Sequence, residues 1–137
     1  VEKAMSEAAT IRILFDDGVC EEVEFEATGD GRVRLLATPT ASTTEARLGD
    51  VVALEEIEGG IRRFVAIAEP SPYETFAWPE PAALAAAGAF EDLLRRVEET
   101  GGRVERAFGG VSLVHVAKEE VDEIVRRHER IVASDRR

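Results

Sequence analysis

Two histidines, His115 and His128, are the only imidazoles in the chain, and chemistry is sought there first. His115 lies in Val111-Ser112-Leu113-Val114-His115-Val116, so on a strand it shares a face with Leu113 and Ala117. His128 falls within the stripe Val121, Ile124, Val125, His128, Ile131 and Val132, which has helical spacing. A helix backing the sheet would turn both rings toward related space, which makes them candidate pocket histidines. A metal centre would need a third strong ligand at usable spacing, and no such Cys or His remains. The reading is therefore no metal and no cofactor.

Carboxylates come in adjacent pairs: Asp16 with Asp17, Glu21 with Glu22, Glu55 with Glu56. General acid–base work needs two carboxylates converging on a cleft with separated pKa values. Neighbours on a strand point to opposite faces, so these pairs do not converge locally. Glu22, Glu24 and Glu26 do share a face, as a solvated row. Gly29-Asp30-Gly31 lacks the spacing and the following helix of a phosphate loop. Ser71, Ser112 and Ser134 lack the strained elbow of a hydrolase. The doublets Arg62-Arg63, Arg95-Arg96 and Arg126-Arg127 are not interleaved with aromatics, as single-strand nucleic-acid binding would want. No catalytic residue is assigned.

The elements that would position these residues fall into two halves. Ile11, Ile13 and Phe15 begin an alternating strand, and Asp16-Asp17-Gly18 turns the chain. Val23, Phe25 and Ala27 alternate with Glu22, Glu24 and Glu26 in the next strand, and Gly29-Asp30-Gly31 closes a hairpin. Thr38 to Arg47 reads as a loop, and Glu58-Gly59-Gly60 joins two further strands. This turn spacing predicts a small, strongly bent antiparallel sheet or an SH3-like barrel over residues 11–70.

Past Glu69-Pro70-Ser71-Pro72 the pattern changes. Tyr73 to Trp78 reads as a strand, and Phe90, Leu93, Leu94 and Val97 as a helix stopped by Gly101-Gly102. Gly109-Gly110 reads as a two-residue hairpin turn, and Lys118 to Ala133 as the last helix. The order β-α-β-β-α over residues 71–133 predicts a ferredoxin-like half, so the whole is α+β. Residues 1–10 and 134–137 read as tails. Val1 to Thr10 lacks the apolar stretch of a secretory signal, and no run is long enough to span a membrane. Cytoplasm is the expected compartment. Cys20 is a lone thiol, expected to be half-buried near a strand start.

The net charge is −11. Residues 1–70 carry 7 Lys and Arg against 15 Asp and Glu; the remainder carries 10 against 13. Such a balance repels phosphate backbones and anionic membranes and attracts a basic partner.

Gly29-Asp30-Gly31-Arg32-Val33-Arg34-Leu35, Pro39, Leu48-Gly49-Asp50-Val51-Val52, Phe64-Val65 and Glu69-Pro70-Ser71 with Thr75 resemble a bacterial family catalogued as domain of unknown function 4265. The strand Val111 to Ala117 and the helix after it suit its C-terminal part. The likeness spans Ile11 to Arg130. Two positions depart from the pattern: the loop after Pro39 lacks an aromatic pair, and Phe25 stands where Trp is typical. The family implies no catalytic residues.

The expectation is a non-enzymatic binding or interaction protein, of immunity or inhibitor type. Its acidic face would comprise Glu22, Glu24, Glu26, Glu55, Glu56 and Glu58, and its partner would be a basic protein. The alternative is a sensing domain that holds a small molecule between the two halves.

Overall fold

The computed structural model describes residues 9–106 and 108–136. Most of the expected N-terminal tail and Arg137 lie outside them. Ala9 and Thr10 already belong to the first strand. The chain is mixed α+β and divides into two compact units, Val1–Ser71 and Pro72–Arg137.

The first unit holds five strands: β1 (Ala9–Leu14), β2 (Cys20–Gly29), β3 (Arg32–Leu35), β4 (Val51–Glu58) and β5 (Ile61–Glu69). They close into a barrel in sequence order. Four of the seams are antiparallel. The closing seam is not: β1 runs parallel to β5, with Ile13 opposite Arg62. This corrects the expectation of a wholly antiparallel half. Closure satisfies the backbone groups that β1 and β5 would otherwise present as open edges.

Alternation decides what goes inside. Ile11, Ile13, Phe15, Val23, Val33, Leu35, Val52 and Phe64 form the core, while Arg12 and Glu22 face each other outside. The β2–β3 turn places Gly29, Asp30 and Gly31 all at positive φ, which glycine adopts freely and Asp tolerates through its short polar side chain. Cys20 is exposed at the start of β2 rather than half-buried.

Between β3 and β4 a long loop is held by carboxylates acting on main chain. Glu21 accepts from the N–H groups of Thr40 (2.7 Å), Ala41 and Ser42. Asp17 accepts from the Thr43 N–H at 2.7 Å and from the Ser42 hydroxyl. Buried Asp50 accepts from the Arg47 N–H (2.9 Å) and the Ser71 N–H (2.6 Å). Leu-Gly-Asp-Val-Val is thus a structural element, capped by its own Asp.

The second unit contains β6 (Tyr73–Pro79), α1 (Leu84–Glu99), β7 (Arg103–Arg106), β8 (Val111–Ala117) and α2 (Val121–Asp135). The sheet order is β6-β8-β7, with β8 antiparallel to both neighbours. β6 and β7 therefore run the same way, linked by the α1 crossover, with β8 between them. A 3₁₀ turn at Phe108–Gly110 joins β7 to β8, a longer connection than the expected two-glycine hairpin. α2 continues to Asp135, so Ser134 and Asp135 are helical rather than tail.

Both helices lie on the sheet face that carries Trp78, Val114 and Val116, and Phe90, Leu93, Val97 and Ile124 complete that core. Ala83, at the start of α1, has no cap of its own. The Asp135 carboxylate at the end of α2 accepts from the Ala83 N–H at 2.7 Å and the Ala82 N–H at 3.3 Å instead, so one helix end satisfies the other's orphan donors. Gly102 is obligatory for a different reason. A Cβ there would lie 2.3 Å from the His115 carbonyl oxygen and 2.7 Å from Val97 Cγ1.

Candidate functional site

The acidic row exists as expected on β2. Glu22, Glu24 and Glu26 are all exposed on its outer face. Its charge is partly matched across strands, since Arg12 faces Glu22 and Arg34 approaches Glu26 at 3.7 Å. Glu24 faces Thr10 and makes no ion pair with a described residue. Glu55, Glu56 and Glu58 are exposed at the far end of β4. Glu55 pairs with Arg63 and Glu56 faces Arg62 on β5. The two acidic groups sit on strands separated by β3, each interleaved with arginine. A single sequence cannot show this, because strand register decides it.

Between the β1–β2 turn and the long loop lies a cavity of about 440 Å³ lined by Asp16, Asp17, Thr43, Thr44, Glu45 and Phe64. Asp17 is lowered to about 2, first by the Thr43 N–H and further by the Val19 N–H and the Ser42 and Thr43 hydroxyls; it is ionised and committed to the loop. Asp16 and Glu45 make no ion pair with a described residue. Two uncommitted carboxylates beside an aromatic ring suit an ammonium or guanidinium, by charge and by the ring's negative face. Sequence reasoning paired Asp16 with Asp17 and passed over Glu45. The signal that could have found them is the run of Ser and Thr donors at residues 42–44, within reach of the preceding turn only once the loop folds back.

The two histidines do not converge, which corrects the expected pocket. His128 belongs to the helix side: its ring stacks on Trp78 at 3.8 Å and 5° and meets Phe90 at 6.3 Å. Burial pushes its pKa below the ordinary imidazole value, opposed by the Glu129 carboxylate. His115 points to the other face of the sheet, because β8 alternates and Val114 and Val116 take the helix side. There its Nε2 lies 2.7 Å from Glu105 Oε1 on β7, and its Nδ1 lies 2.8 Å from Thr75 Oγ1 on β6. A carboxylate only accepts, so Nε2 carries a proton, and in the neutral ring Nδ1 accepts from the Thr75 hydroxyl.

This carboxylate–imidazole–hydroxyl chain has the connectivity that activates a nucleophile. The imidazole is fully buried, however, and its bonds tie all three strands together. No group of three or more metal-ligating side chains occurs among the described residues. No described helix is long and apolar enough to cross a membrane.

Two further cavities belong to the second unit. One of about 420 Å³ lies along α1 and α2, floored by Ala85, Ala86, Ala89 and Ile131 with Arg127 and Arg130 beside them. The other, of about 360 Å³, opens between β6 and α2 and is lined by Glu74, Phe76, Val121 and Val125, with Asp122, Arg126 and Glu129 around it.

No family model matches the chain, and no curated protein does. A hypothetical protein from Neisseria gonorrhoeae, known from its crystal structure, is similar in fold at a TM-score of 0.53 and 19% identity. The match covers 90% of this chain and 88% of that one. At that identity the likeness speaks for the fold alone.

Proposed function

We propose that the chain is a binding protein that takes a basic protein partner on its barrel unit, in the manner of an immunity or inhibitor protein. The observation that carries this reading is the cavity lined by Asp16, Asp17, Glu45 and Phe64, which offers a lysine or arginine side chain two uncommitted carboxylates and an aromatic wall. The exposed carboxylates of β2 and β4 add the longer-range field that steers a basic surface inward. With this reading go an SH3-like description of the barrel, a ferredoxin-like description of the β6-β8-β7 unit, membership of the family of unknown function 4265, and a cytoplasmic location.

The test is capture from native lysate on the immobilised chain at low and at high salt. Basic proteins retained at low salt should be released at high salt and lost from an Asp16→Lys, Glu45→Lys double variant. Glu22→Lys, Glu24→Lys and Glu26→Lys together should slow association more than they weaken the bound state. Retention indifferent to salt and to the double variant would overturn the reading.

A further inference from the structure

In the second unit one of the two sheet edges, that of β6, lies beside a cavity. β6 is an edge strand of this sheet, and among the described strands it pairs with β8 alone. Beside it the interlayer core is open: Phe76, Val121 and Val125 are only half-buried against the core cluster, and they line the cavity of about 360 Å³. An edge of this kind presents main-chain donors and acceptors that another strand can take up.

We propose that β6 is a strand-addition site, occupied by an extended segment of a partner protein that becomes the fourth strand of the sheet. Charge defines the segment. Glu74, Asp122 and Glu129 surround the cavity with Arg126 as the single cation, and none of the three carboxylates makes an ion pair with a described residue. Alternate side chains of an added strand fall on the helix side. There the apolar ones cover Phe76, Val121 and Val125, and a Lys or Arg two residues along the same face meets the carboxylates. The incoming segment thus carries apolar residues and a base at alternate positions. This inference rests on the second unit alone and stands apart from the barrel reading.

The probe is the peptide acetyl-Thr-Val-Thr-Val-Thr-Lys-Thr-amide, which puts Val, Val and Lys on one face, with a Glu-for-Lys peptide as control. Titrated into the full ¹⁵N-labelled chain, the Lys peptide should perturb the amides of Tyr73 to Ala77 and protect from exchange the alternate ones that point away from β8, and the Glu peptide should bind about tenfold more weakly. Glu74→Lys with Glu129→Lys, both exposed positions, should weaken the Lys peptide about tenfold while amide spectra elsewhere stay native. Equal binding of both peptides, or no protection of β6 at millimolar peptide, overturns the proposal. So does a concentration-dependent dimer in which β6 is already protected, since the edge then belongs to a second copy.

Discussion

The barrel's long loop and the three-stranded sheet handle polar groups in opposite ways. In the barrel, Asp17, Glu21 and Asp50 spend their oxygens on main-chain N–H groups and so fix a long loop against the wall. In the sheet unit, Thr75, His115 and Glu105 bond one another and fix strand to strand. Side chains that grip main chain hold a segment with little regularity of its own, since the N–H groups of such a segment need acceptors in any case. Side chains that grip each other specify which strands are neighbours. The barrel also closes on itself, whereas the sheet unit leaves β6 and β7 as edges. One unit has settled its backbone bonding internally; the other still has some to offer.

Three measurements sharpen or break this contrast. The largest effect is expected from Asp50→Ala, which strips an acceptor from two N–H groups at a buried position; chemical denaturation should show a loss of about 3 kcal/mol. A loss near zero would mean that the main-chain bonds do not hold the loop. Thr75→Val takes the hydroxyl out of the cross-strand chain while keeping the strand-favouring shape, and should cost about 1 kcal/mol. A cost as large as that of Asp50→Ala would erase the distinction drawn here. The smallest effect concerns His128. Its folded pKa is depressed by burial, so the unfolded chain binds the proton more readily, and the contribution is complete above the ordinary imidazole pKa of about 6.5. That contribution is lost as pH falls from there through the depressed folded value. The stability–pH slope over this range should flatten in His128→Gln.

Much of the architecture was legible because hydrophobic alternation is a local signal. Ile11 and Ile13, Val23, and the helical stripe from Val121 to Ile131 all take the faces their spacing demands. What escaped the sequence is non-local. Nothing in residues 9–14 announces a parallel partner among residues 61–69, and nothing in Arg103 to Arg106 says that β8 lies between β7 and β6. The site followed the same rule. Glu22, Glu24 and Glu26 were recognisable as one face, but the arginines opposite Glu22 and Glu26 depend on register. His115 was rightly placed with Leu113 and Ala117, yet which face the helices cover is decided by packing, and it separates His115 from His128. Glu45 was invisible until its loop was seen folded over the first turn.

The stack of Trp78 on His128 also determines how the molecule can be observed. Trp78 is the only tryptophan and Tyr73 the only tyrosine, and both lie in the second unit. Near-ultraviolet absorption and emission above the phenylalanine bands therefore originate in the sheet unit alone. The barrel is silent in that window, and its unfolding is seen only through the peptide bond or through a reporter placed there. Tryptophan emission and far-ultraviolet dichroism, recorded on one sample, read the two units through different chromophores.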